Sequence, residues 1–368
     1  MTGRSSGMDL NGLRRHHLSL VLERIVHEGP RSRARLAVET GLTKKTISAL
    51  VADLLDRGLV EELDTPTPGT VGRPATDVAA AGRAVGGLGL EINVDYVAAC
   101  VLDFAGHVRI RHRRDGDNRD VPTTRVLQRL RRLAARALED AGGQWIRCVG
   151  ATLALPGLVD PSSGTLFVAP NLHWLGEHGD TPASALRLPG LDPARADNEA
   201  NLAALAELRF GAGQRLSSFV YVSGGIGVGA GVVMDGRLVR GAHGFAGELG
   251  HVVIDPEGPP CACGARGCLE VSDRSPAALA TALRSVVHLV DPEAVVLGGS
   301  FAIQDDSYAE EVARRLQRDT LGARWHPTGV VRSSLGADAA LVGAATTALD
   351  DVLADPTIVP TASRETSA

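Results

Sequence analysis

The segment GHVVIDPEGPPCACGARGCLE, residues 250–270, gathers three thiols, Cys261, Cys263 and Cys268, within eight residues and places His251 ten residues before the first of them. Thiolate and imidazole are soft or borderline ligands, and four of them suit a closed tetrahedral zinc site. Such a site leaves no position for water, so the zinc it implies is structural. The intervening glycines let the backbone turn tightly enough for the three sulfurs to converge. The other two cysteines, Cys100 and Cys148, lie in apolar strand-like runs and read as core thiols. Five cysteines distributed in this way do not make the disulfide framework of a small secreted domain.

A second chemical feature is LTKKTISALV, residues 42–51. It holds the only two lysines of the chain, Lys44 and Lys45, where every other basic side chain is arginine. Apolar positions Ile47, Leu50, Val51, Leu54 and Leu55 predict an amphipathic helix capped by Thr43, with Lys45, Thr46, Ser48 and Ala49 on the opposite face. The first turn is where the helix dipole disfavours cations, by roughly 0.3–1 kcal/mol each at low salt, so lysines there need a partner outside the helix. Lys45, Thr46 and Ser48 are placed to meet base edges in a major groove, and Lys44 to meet a phosphate.

The elements that must position this helix are legible on either side. Leu18, Val21, Leu22, Ile25 and Val26 recur with helical period before Gly29-Pro30, and Ser32 can cap a short helix that ends at Gly41. LVEEL and ATDVAA predict two strands around the Pro/Gly-rich loop TPTPGTVGRP, whose Arg73 could enter a minor groove. The result is a winged helix-turn-helix over residues 13–82, preceded by a disordered arm, 1–12. Residues 1–60 carry ten basic against six acidic side chains, +4, which leaves −9 on the remainder of a chain whose net charge is −5. A basic head on an acidic body predicts that the head alone meets a polyanion, double-stranded DNA.

From residue 84 to 354 the pattern alternates between strand-like runs, such as VGGLGLEINVDYVAACVLD and SSFVYVSGGIGVGAGVVM, and helices, which argues for an α/β body. The Arg-rich stretch RVLQRLRRLAARALED reads as a helix with a solvated outer face, and residues 355–368 as a disordered tail. No run of about 18 apolar residues offers a membrane span and no secretory signal is evident, so the expected location is the cytoplasm.

Taken together, GELGH, the CACGARGCLE cluster, APNLHW, DNEANLAALAE, VSGGIGVGAGVV and the winged head resemble the ROK family, named for repressors, open reading frames and kinases. The resemblance extends from residue 14 to about 350. It implies a two-lobed, actin-like ATPase fold of the ribonuclease-H-like class, a zinc ion beside a sugar pocket, and a homo-oligomer. The implied sugar contacts are Asn171, Asn198, Glu199, Glu248, His251 and Glu270. Carboxylates and amides of this kind satisfy hydroxyl donors and acceptors in pairs. His251 would hold zinc through one ring nitrogen and present the other to the ligand.

Three departures from the family pattern shape the functional expectation. Kinases of the family carry an Asp-x-Gly-Gly-Thr phosphate loop where this chain has Glu91-Ile92-Asn93-Val94-Asp95, so bulk and acids replace the glycines and the threonine. Their catalytic aspartate is replaced by Glu199, one methylene longer, and a misplacement of about an angstrom can cost roughly 100-fold in rate. The stretch between 271 and 294 is also much shorter than in the family. Family members with a winged head are sugar-responsive regulators, so the resemblance implies a DNA-binding repressor of carbohydrate-related genes that is not an enzyme and is modulated by a sugar or sugar derivative. Two alternatives are a residual ATP-dependent sugar kinase and a regulator that no longer senses sugar.

Overall fold

The computed structural model describes residues 10–63, 76–82, 84–175, 181–191 and 194–361. Its head consists of helices Leu10–Glu28, Arg33–Thr40 and Lys44–Asp56 followed by strands Val60–Leu63 and Asp77–Ala80, and a two-residue strand, Arg31–Ser32, completes a small sheet. The local signals act as expected from chemistry. Ser32 accepts from the Arg35 amide at 3.2 Å, and Thr43 accepts from that of Thr46 at 3.2 Å. Gly41 turns the chain between the two helices in the left-handed region.

Two expectations at the chain ends are corrected. The first helix begins at Leu10, within the stretch expected to be a disordered arm. Past residue 355, Pro356–Ile358 form a short 3-10 helix and Val359 is buried, so this part of the expected tail is packed. The wing tip, residues 64–75 with Arg73, lies outside the described residues.

The body contains two five-stranded sheets with one topology. In the N-terminal lobe the order is Arg195–Asn198, Arg147–Leu155, Val85–Ile92, Tyr96–Asp103 and Val108–Asp115. In the C-terminal lobe it is Gly329–Arg332, Ala294–Gly299, Phe219–Gly224, Val228–Met234 and Arg237–Val239. Each sheet therefore starts with an antiparallel meander of three strands and adds two parallel strands on the far side of the first. This repeat is the two-lobed frame expected from the sequence.

Equivalent helices follow the last strand of each sheet, Glu199–Phe210 in one lobe and Ala339–Thr347 in the other, and they pack against each other between the lobes. Gly343 permits this approach, because a Cβ there would lie 1.9 Å from the Leu202 carbonyl oxygen. Between Glu270 and the strand Ala294–Gly299 the C-terminal lobe has a single α-helix, Pro276–Val290.

The head is not a separate bead. Leu18, Val21, Leu22 and Ile25 from its first helix share one apolar cluster with Leu36, Ile47, Leu50, Val51 and Leu54. The same cluster includes Val85 and Phe104 of the body, and Leu349, Val352, Leu353 and Val359 from near the C-terminus. Arg57, at the end of the Lys44–Asp56 helix, pairs with Asp53 at 2.7 Å and donates to the carbonyl oxygens of Thr357, at 3.3 Å, and Val359.

Candidate functional site

His251 ends the short 3-10 helix Leu249–His251, and the cysteine loop folds back over it through bridges pairing Val253 with Cys268 and Pro260 with Arg266. Gly267 is essential to this return: it has a positive φ of 64°, and a Cβ would fall 1.5 Å from the Asp255 carbonyl oxygen. The ligand atoms of His251, Cys261, Cys263 and Cys268 all lie within 4.8 Å of one another. Cys261 Sγ is 3.6 Å from His251 Nδ1, and Cys263 Sγ is 3.7 Å from Cys268 Sγ. A tetrahedral zinc with the usual bond lengths needs about 3.6 Å for a sulfur–nitrogen edge and about 3.8 Å for a sulfur–sulfur edge. The four side chains therefore fit a metal ion of this kind.

The other nitrogen of the same imidazole, Nε2, faces Glu248 Oε2 at 4.0 Å. Here the metal loop becomes one wall of a cavity of about 690 Å³, whose lining includes Asn171, Asn198, Glu199, Glu248, His251 and Glu270. The structure thus brings together all six side chains that the resemblance points to. Glu270 accepts from the Asn171 side chain at 3.3 Å and from the Val228 amide at 2.6 Å. Asn198 caps the helix that Glu199 begins, accepting from the amides of Ala200 and Asn201 at 2.8 and 3.2 Å, and donates to the Gly157 carbonyl at 2.9 Å. One of its amide hydrogens stays available to a ligand.

Glu199 stands where this cavity meets a second, of about 430 Å³, lined by Glu91, Asn93, Asp95, Tyr96 and Arg113. Desolvation, reinforced by Glu91, Glu270 and Asp95, pushes the Glu199 carboxyl up to about 8. Burial likewise pushes Glu91 up to about 7, against the hydrogen bonds it receives from Tyr96 and Asn93. Glu248 is also raised, chiefly by burial.

The altered phosphate loop is closed by its own side chains. Asn93 Oδ1 accepts from the Val94 amide at 2.7 Å, and the Asn93 amide itself donates to the Tyr96 carbonyl at 3.0 Å. These two amides are therefore not free to cradle a phosphate. Tyr96 donates its hydroxyl to Glu91, and the Arg113 guanidinium stacks 3.8 Å above the Tyr96 ring. Sequence reasoning did not single out Tyr96 or Arg113, because strand pairing brings Arg113 there from another strand. It also missed Arg240, which pairs with Asp197 at 2.6 Å, and Phe245, which meets Phe167 edge-on at 5.4 Å; both contacts tie the lobes together.

On the head, Lys44, Lys45 and Ser48 are exposed and Thr46 is half-buried. Arg14, Arg15, Arg24, Arg31, Arg33, Arg35 and Arg57 are all paired with carboxylates of this chain. Lys44 and Lys45 pair with none among the described residues. The hydroxyl of Ser48 donates to the Lys44 carbonyl at 2.9 Å and that of Thr46 pairs with Thr43 at 2.9 Å, which leaves each a reduced hydrogen-bonding capacity toward a base.

Comparison with known proteins agrees with both halves. The MarR family profile matches residues 11–69. The xylose repressor of Caldicellulosiruptor bescii is 32% identical over 256 residues, a match that spans 68% of this chain and 62% of that protein. The crystal structure of a ROK family transcriptional regulator, described as a homolog of the E. coli MLC protein, superposes with a TM-score of 0.75 at 25% identity, covering 93% of this chain and 98% of the other. The ROK hexokinase of Thermus thermophilus is 32% identical, with a TM-score of 0.58 over 73% of this chain and 99% of its own. The ROK profile matches in two segments, 87–275 and 270–351, which meet at the shortened stretch. From the head's boundary to the last helices of the body, the chain belongs to the ROK family.

Proposed function

We propose that this protein is a DNA-binding transcriptional repressor of carbohydrate-related genes, acting in the cytoplasm as a homo-oligomer and modulated by a sugar or sugar derivative held at Asn171, Asn198, Glu199, Glu248, His251 and Glu270. The observation that carries the reading is Asn93, whose side chain takes up the Val94 amide and also reaches Glu199 at 3.3 Å. A kinase needs that loop open for ATP, whereas a sensor does not. Zinc at His251, Cys261, Cys263 and Cys268 would supply no chemistry to a reaction; it would fix the imidazole so that Nε2 faces the ligand.

Lys45, Thr46 and Ser48 read bases in this proposal, Lys44 holds a phosphate, and Arg73 reaches the minor groove. The cavity is connected to the head through packed elements. Glu199 begins the helix that packs on Ala339–Thr347, and the next helix, Asp350–Ala354, packs on the first helix of the head. A ligand that prefers one arrangement of the lobes shifts the head, and in an oligomer it changes the fit of two heads to two half-sites. The test is a footprint on the protein's own promoter region at moderate salt, with and without sugars. Protection that a sugar alters supports the proposal, and absence of any protection refutes the DNA-binding half.

A further inference from the structure

The second cavity has the Asn93 and Val94 amides closed to a phosphate, and it is joined to the first. Pro156, Asn171, Glu199, Ile226 and Gly227 line both, so the two spaces form one crevice that passes Glu199. Beyond that point the polar lining consists of Glu91, Asn93, Asp95, Tyr96, Tyr221, Ser223 and Ser300, with Arg113 as the basic side chain. Arg113 is already engaged with Asp115 at 2.7 Å and with the Tyr96 ring. Carboxylates, amides and hydroxyls of this kind match the donors and acceptors of a polyol, and an ionised carboxylate among them repels phosphate.

The size of the crevice points the same way. Together the two spaces, about 690 and 430 Å³, lie slightly above the upper end of the roughly 300–1,000 Å³ typical of small-molecule sites, which is more than one monosaccharide fills.

Resting on the proposed sugar-sensing role, we infer that the former nucleotide cavity is a second sugar subsite, so that the effector is an uncharged disaccharide or glycoside lying across Glu199 and phosphorylated sugars are rejected. Asp95 discriminates against the phosphate, while Ser223 and Ser300 face hydroxyls of the second ring.

The inference is tested by calorimetric titration of the full-length, zinc-loaded protein with xylose, glucose, xylobiose, cellobiose and glucose-6-phosphate. One disaccharide is expected to bind at least about tenfold more tightly than its own monosaccharide, and glucose-6-phosphate at least about tenfold more weakly than glucose. Of the two cavities Gly225 lines only the second, and a Cβ there would meet nothing closer than the Gly227 carbonyl oxygen at 4.0 Å. Gly225→Leu should therefore remove the disaccharide preference while monosaccharide binding persists. Asp95→Asn should gain affinity for glucose-6-phosphate without gaining any for glucose. If a monosaccharide binds as tightly as its disaccharide, or if the phosphate ester binds as well as glucose, the second subsite is wrong while sugar sensing stands. If none of the five produces heat, in a preparation that protects DNA, sugar sensing falls and this inference falls with it.

Discussion

Asn93 donates from Nδ2 to Glu199 Oε2 across 3.3 Å, joining two residues 106 positions apart in the chain. By the family resemblance, the first stands where kinases keep a phosphate-loop glycine and the second where they keep the catalytic aspartate. Both departures thus meet in one hydrogen bond. A site altered at two coupled points is not restored by either change alone.

The protein is therefore expected to release no more ADP from ATP, with glucose, xylose or N-acetylglucosamine present, than its Glu199→Ala variant does. A coupled assay measures this directly, and sugar-dependent turnover above that control would revive the kinase reading.

Glu199 confers a pH dependence on stability. Its carboxyl titrates near 8 when folded, against an ordinary value of 4.5. Between these values the folded protein retains a proton that the unfolded chain has released, so the contribution of Glu199 to stability declines as pH rises through this window and levels off above about 8. Glu199→Gln removes the decline. Near pH 5 the variant and the parent should melt alike, and above pH 8 the variant should be more stable by on the order of 1–2 kcal/mol, allowing for water in the cavity. Denaturant melts at the two pH values decide it, and parallel profiles for the two proteins would contradict it.

Metal analysis should find one zinc per chain. Cys263→Ser, or removal of zinc by a chelator, should lower the melting temperature by several degrees and abolish ligand-induced stabilisation, because His251 would lose its fixed orientation. A melting temperature indifferent to chelation would refute the metal site.

Lys44 and Lys45 should separate in their effects on DNA binding. Lys44→Ala should weaken binding to all sequences and lower the salt slope by about one, whereas Lys45→Ala should relax preference among sequences. Mobility-shift titrations across a salt series distinguish the two. Unchanged affinity and slope in both variants would mean that the head docks by another face.

Arg57→Ala should destabilise the head by about 1–3 kcal/mol, since Asp53 and the carbonyls of Thr357 and Val359 lose a charged donor. Limited proteolysis should then cut first between head and body. If the cleavage pattern of the variant matched that of the parent, the contact would be incidental.

Much of the head was legible because its signals are local. Ser32, Gly41 and Thr43 act within one helical turn of their own positions, and the apolar period of Lys44–Asp56 exceeds what chance spacing gives. The cluster of His251, Cys261, Cys263 and Cys268 was legible for the same reason, with four side chains able to hold a metal in 18 residues. What escaped depends on distant pairing. Leu10 and Gly12 carry no periodic signal that would extend the first helix, and Val359 is buried in a cluster built from the head, the body and the neighbouring C-terminal residues. Glu207 reads as an ordinary surface carboxylate in ALAELRF, but it is fully buried, bonded to Ser333 Oγ and to the amides of Ala212 and Leu335. The arginine pairs of the head were equally hidden, and they are what isolates the two lysines as its free cations among the described residues.

The apolar cluster shared by the first helix and residues 349–359 also orders events during synthesis. The head leaves the ribosome before the body, yet its strip of Leu18, Val21, Leu22 and Ile25 cannot be fully covered until Val352, Leu353 and Val359 have followed it out. A prematurely terminated chain would therefore expose an unfinished head, prone to aggregate or to be degraded before it could occupy an operator. Competence to bind DNA would be acquired only once residues 349–359 have been made, so products truncated before them would be kept from competing for the same DNA.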